Sequence, residues 1–100
     1  MSNGSMTRTQ VLVRWTAGLH LRPAARLVRL AQTFRSTILL KCGDKLADAR
    51  SIASLLLLAA SMNALIDIEA SGVDETHAAQ AIEQIFSSDD GGTSDYQKPG

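Results

Sequence analysis

The chain has 100 residues, 45% of them apolar and 4% aromatic, with ten Lys or Arg balanced by ten Asp or Glu. That length gives one small domain, because halves of about 50 residues would each sit near the lower limit for a core, and the apolar content excludes wholesale disorder. Cys42 is the single cysteine, which excludes an internal disulfide and a Cys-rich zinc site, and His20 and His77 alone are too few for another metal cage.

In chain order, residues 1–8 are polar and read as a flexible tail without the apolar stretch of an export signal. Gln10–Thr16 alternates, with Val11, Val13 and Trp15 on one face, and predicts a strand. Residues 21–34 place Leu27, Leu30, Ala31 and Phe34 at helical spacing, with Arg22, Arg26 and Arg29 on another stripe. Pro23 is tolerated in the first turn, where its missing N–H has no helical carbonyl to reach. Residues 37–42 alternate again, Gly43–Asp44 makes a turn, and 45–49 returns as a short strand.

Ser51 caps a helix running to about residue 60, ended by a turn at Met62–Asn63. The uncharged stretch 51–66 is too short and too interrupted by Ser54, Ser61 and Asn63 to span a bilayer. Residues 64–70 form a strand with Ala64, Ile66, Ile68 and Ala70 inward. Asp74 caps a last helix whose buried face is Ala78, Ala81, Ile82, Ile85 and Phe86. Residues 87–100 are rich in Gly, Ser and Asp and read as a disordered tail. The order β-α-β-β-α-β-α predicts an α+β two-layer sandwich, a four-stranded antiparallel sheet covered on one face by three helices, over residues 9–86.

Charge is divided along the chain. Residues 1–50 hold nine of the ten basic residues against Asp44 and Asp48, while residues 51–100 hold Lys98 against eight acids. Such a division suits an acidic partner or a phosphate. A nucleic-acid partner is not indicated, since the sequence pI is about 6.7 and no aromatic stacking platform is present.

The most specific local pattern is Gly18-Leu19-His20-Leu21-Arg22-Pro23-Ala24-Ala25, between the first strand and the first helix. His20 falls at the helix N-cap, where the backbone N–H groups of Leu21 and Arg22 lack helical acceptors. The helix dipole and the Arg22 side chain add positive charge, so the place suits an anion. An unprotonated imidazole there is a nucleophile, and a phosphoryl group on it meets donors ready to hold it. The plainer alternative is that His20 is only a cap and Arg22 only a solvated charge.

GLHLRPAA resembles the active-site signature of HPr, the histidine-containing phosphocarrier family of the bacterial phosphoenolpyruvate-dependent phosphotransferase system. The similarity continues through Arg50-Ser51-Ile52, a second signature around a regulatory serine. It extends to Ile68–Glu75 and covers residues 9–86. The resemblance implies that His20 takes phosphate from enzyme I on Nδ1 and passes it to an enzyme IIA for sugar uptake, with Arg22 steadying the phosphoryl group. It implies that Ser51 is the target of an HPr kinase, and that Ile52, Ala53 and Leu56 form a docking patch beside the histidine. Arg22, Arg26 and Arg29 would edge that patch with positive charge. Leu21 and Ala17 depart from the family pattern, as do Ala59 and Asn63, which replace glycines. The resemblance further implies a cytoplasmic monomer without cofactor or metal, turned over by partner enzymes and not itself an enzyme. Two alternatives stay open: a nitrogen-type carrier relaying phosphate to regulatory proteins, and a regulatory module that only docks.

Overall fold

A computed structural model describes residues 6–58 and 60–88; residues 1–5, Ala59 and the expected tail from residue 89 onward lie outside them. The elements follow the order β1 (Thr7–Leu12), α1 (Leu21–Ala31), β2 (Thr37–Cys42), β3 (Lys45–Asp48), α2 (Ile52–Leu57), β4 (Leu65–Ser71) and α3 (Glu75–Ser87). The strands pair antiparallel in the order β1-β4-β2-β3. Helix α3 covers β1 and β4, α2 covers β3, and α1 packs against both other helices. This is the open-faced sandwich that the periodicity predicts.

Alternation along each strand sorts the two faces. Ile38, Leu40, Ile66, Ile68 and Ala70 point under the helices and are fully buried. The opposite face mixes charged and polar residues with the exposed Leu12, Leu46 and Leu65. Register sets Arg8 opposite Glu69 and Gln10 opposite Asp67. Arg8 Nη2 lies 3.0 Å from Glu69 Oε2, Lys41 Nζ lies 3.7 Å from the same oxygen, and Gln10 Nε2 donates to Asp67 Oδ1 at 2.8 Å. The basic and acidic halves of the sequence are therefore interleaved in the sheet rather than held apart.

Several boundaries differ from the sequence expectation. The first strand begins at Thr7, so Thr7 and Arg8 belong to the sheet and not to a tail, and it ends at Leu12. Val13 and Trp15 are buried, at 0% and 2% exposure, but in the connection that follows. There Val13 still exchanges hydrogen bonds with the turn before β4: its N–H donates to Ala64 at 2.9 Å, and its carbonyl accepts from Asn63 at 2.7 Å. Asn63 takes the left-handed conformation at φ 74°, as the turn expected there requires. Helix α1 ends at Ala31 and α2 at Leu57, both earlier than their apolar runs suggest. On α3, Ala79 is buried while Ala81 is only half-buried.

Asp74 occupies the N-cap position of α3 but makes no side-chain cap bond. Its carboxylate accepts from the backbone of Arg35 and Ser36, each at 2.9 Å, and from the Ser36 hydroxyl at 2.5 Å. It ties the start of α3 to the α1–β2 connection, and Ser36, fully buried, is satisfied by it.

Candidate functional site

The loop before α1 is built around Gly18. Its φ of 73° lies in the left-handed region, and a Cβ placed on it would sit 2.5 Å from the Ala60 carbonyl oxygen. Only glycine takes both the turn and the close approach without strain. The next residue, Leu19, donates its N–H to that same Ala60 oxygen at 2.8 Å and buries its side chain. Together they clamp the start of α1 to the segment that follows α2.

His20 then sits at the N-cap of α1 in extended conformation, with φ −111° and ψ −170°, and its side chain makes no capping bond. Its carbonyl accepts the first helical bond, from Ala24 at 3.0 Å. Pro23 has no N–H, so Leu21 and Arg22 carry the free donors of the first turn. No acidic residue stands in that turn to neutralise them. Arg22 is exposed and forms no ion pair among the described residues.

The ring of His20 is half-buried, where the sequence suggested an exposed one. Its Nε2 is sealed from solvent and has no hydrogen-bond partner. A buried, unpartnered ring nitrogen cannot be reached by a reagent from outside. Trp15 is core: it stacks on Phe86 with ring centroids 5.1 Å apart. Its indole Nε1 donates to the Ser88 carbonyl at 2.8 Å.

Ser51 caps α2 as expected, its Oγ accepting from the Ser54 N–H at 3.1 Å. Beside it, Arg50 Nη2 donates to the Phe34 carbonyl at 2.6 Å, just past the end of α1. The start of α1 is thus tied to the end of α2, and the end of α1 to the start of α2. The two helices run antiparallel, and His20 and Ser51 lie at opposite ends of the pair. Between them α2 exposes Ile52, Ala53 and Leu56, while Leu55 and Leu58 are core. Leu21, Leu57 and Met62 add exposed apolar surface, at 61%, 74% and 45%. Arg26 and Arg29 continue the stripe from Arg22 along α1. Arg26 also reaches Ser88 Oγ at 3.4 Å.

Two contacts of this site escape a reading of the sequence. The Ala60 clamp is made by a backbone carbonyl, which leaves no residue-type signal. Ser88 lies in a run with the composition of a tail, yet Trp15 and Arg26 both bind it. Among the described residues no group of three or more His, Cys, Asp or Glu is placed to hold a metal ion, and no helix is long and apolar enough to cross a membrane.

Comparison with known proteins identifies the arrangement. The family described as the PTS HPr component phosphorylation site matches residues 7–88. The chain belongs to the HPr family. It is 40% identical over 80 residues to a phosphocarrier protein NPr of Proteus mirabilis, covering 79% of this chain and 89% of the relative. It is 35% identical over 81 residues to a phosphocarrier protein HPr of Xylella fastidiosa, covering 81% and 91%. A phosphoryl donor subunit of a PEP-dependent dihydroxyacetone kinase, DhaM of Providencia stuartii, is 40% identical over 77 residues, but the chain spans only 16% of that protein. An HPr structure from Thermoanaerobacter tengcongensis superposes with a TM-score of 0.77 at 30% identity, covering 81% of this chain and 91% of that one. HPr-family proteins are phosphocarriers and not enzymes, and this chain is an HPr-family phosphocarrier.

Proposed function

We propose that His20 accepts a phosphoryl group on Nδ1 from phosphorylated enzyme I and passes it to an enzyme IIA for sugar uptake. The observation that carries this reading is the sealed Nε2 of His20, which leaves Nδ1 as the ring nitrogen for an incoming phosphorus. The Nδ1 lone pair forms the new P–N bond as the bond from phosphorus to the donor's histidine breaks. The phosphoryl oxygens then lie beside the free N–H groups of Leu21 and Arg22 and the positive end of α1, with the Arg22 guanidinium as a further donor. These donors are partial or mobile charges rather than a closed cage, so the group is steadied without being trapped. The carrier works in the cytoplasm as a monomer and needs no cofactor of its own.

Partner docking uses the α1–α2 surface, with Ile52, Ala53 and Leu56 as apolar centre and Arg22, Arg26 and Arg29 as basic rim. A small apolar patch with charged edges suits a partner that must leave quickly. Ser51 lies at the far end of that patch. A phosphate placed there by an HPr kinase would put a dianion beside the docking surface while keeping the helix N-terminus satisfied.

The relationship to NPr at 40% identity favours a second reading, a nitrogen-type carrier whose acceptors are regulatory proteins. One experiment addresses both. The protein and its His20→Ala variant are incubated with enzyme I, phosphoenolpyruvate and magnesium, then with a sugar-type enzyme IIA or a nitrogen-type acceptor. One acid-labile phosphoryl group, absent from the variant, supports the carrier role, and the acceptor that discharges it selects between the readings. No phosphoryl gain on the unaltered protein sinks both.

A further inference from the structure

Leu21 is the first residue of α1 and follows His20 directly. Helix α1 buries Leu27, Val28 and Ala31, whereas Leu21 is 61% exposed. Helical spacing says which flank it takes. Arg26, Arg29, Leu30 and Thr33 line the side of α1 that looks toward α3. Leu21 shares its stripe instead with Ala25 and Val28, four and seven positions on, which is the flank toward α2. The start of α1 is also clamped to the segment after α2, through the Leu19 N–H and the Ala60 carbonyl at 2.8 Å. Met62, two residues further along that segment, is 45% exposed. Leu21 therefore carries the exposed apolar surface of α2 up to the edge of the histidine.

We propose that Leu21 is a specificity-determining residue of the phosphoryl exchange, selecting partners whose own histidine is bordered by apolar side chains. The proposal rests on His20 as the phosphoryl acceptor. What covers Leu21 follows from the transfer itself. The P–N bond to the partner's histidine breaks as the P–N bond to His20 Nδ1 forms, and no other reactant enters. Two imidazole rings must therefore stand on either side of one phosphorus. The partner's surface around its histidine then closes over the neighbours of His20, and an exposed side chain one peptide away is covered with them.

The nature of the side chain decides which partner surface gains by this. An apolar residue facing Leu21 leaves water together with it, which favours the complex. A charged or polar group in the same place leaves water without a bond in return, because the leucine side chain offers neither donor nor acceptor. Selection is the difference between these two outcomes. Adjacent residues thus divide the task. Arg22 addresses the phosphoryl group, which every partner presents, while Leu21 addresses its surroundings, in which partners differ.

The test compares the unaltered protein, Leu21→Thr and Leu21→Met as acceptors from two donors. Phosphoramidate is a small donor with no surface to dock. Phosphorylated enzyme I is the protein donor, used unaltered and with the apolar residues bordering its histidine changed singly to Asp. Phosphoramidate should label all three proteins at His20 at rates within about twofold. From unaltered enzyme I, single-turnover transfer to Leu21→Thr should be about tenfold slower, while Leu21→Met stays within about threefold. At least one Asp change in enzyme I should slow transfer to the unaltered protein about tenfold, yet slow transfer to Leu21→Thr less than about threefold. Equal transfer to the unaltered protein and Leu21→Thr overturns the proposal, as do Asp effects of the same size on both. A matching loss with phosphoramidate also overturns it, since Leu21 would then shape the site and not the choice of partner. No phosphoryl gain on the unaltered protein from enzyme I sinks the carrier reading, and this proposal with it.

Discussion

Gly18 is where a single atom has the largest local consequence. A methyl group at this position meets the Ala60 carbonyl at 2.5 Å, and the backbone is already at φ 73°. Gly18→Ala should therefore lower unfolding stability by about 1–3 kcal/mol, read as a shift in urea midpoint at unchanged slope. It should also slow phosphoryl acceptance at His20, because the clamp sets the start of α1. Asp74 offers a different single-residue test. The hydrogen bond from the Ser36 hydroxyl, then that from the Arg35 backbone, holds its carboxyl below the ordinary carboxylate range. A carboxyl depressed on folding contributes stability that is complete above its unfolded value, about 3.9, and is lost as pH falls through its lower native value. The unaltered protein should lose stability as pH is lowered through this range. Asp74→Asn should be less stable at neutral pH, and its urea midpoint should vary less across the same acid series.

At the scale of elements, α2 is the most exposed to change at one end. Its six residues give it few internal bonds, so the Ser51 cap matters. Ser51→Ala should cost about 1 kcal/mol, whereas Ser51→Asp, which restores an acceptor at the helix N-terminus, should recover most of it in the same denaturation measurement. The limits of the sequence also belong to this scale. Strands β2 and β3 were legible because Gly43–Asp44 separates two alternating runs. The geometry of the candidate site was legible because Gly, His, Arg and Pro at fixed spacing each have a distinct physical role at a helix start. The end of β1 was not, since Val13 and Trp15 extend the alternation while being buried in a connection. Nor was the end of α2, because Leu55–Ala60 is uniformly apolar and carries no stop signal. Asp74 gives the same signal at a cap position whether it bonds its own helix or, as here, a loop 38 residues earlier in the chain.

The whole molecule joins these pieces through the antiparallel α1–α2 pair. His20 and Ser51 sit at its two ends, and the exposed residues of α2 lie between them. If that surface is where partners dock, Leu56→Glu should leave stability within about 0.5 kcal/mol, since Leu56 is exposed. It should slow phosphoryl exchange with enzyme I at least tenfold, about 1.4 kcal/mol at the transition state, measured by single-turnover transfer. The pairing of Arg8 and Lys41 with Glu69 in the sheet means that the first half of the chain does not present its basic residues as one block.

The account rests on one bond, from phosphorus to Nδ1 of His20. The most direct measurement is the nitrogen-15 spectrum of the imidazoles after enzymatic phosphorylation, with phosphorus coupling resolved at each ring nitrogen. Coupling at His20 Nδ1, with Nε2 uncoupled and His77 unchanged, is the predicted result. Coupling at His20 Nε2, or a phosphoryl group on His77, would contradict it.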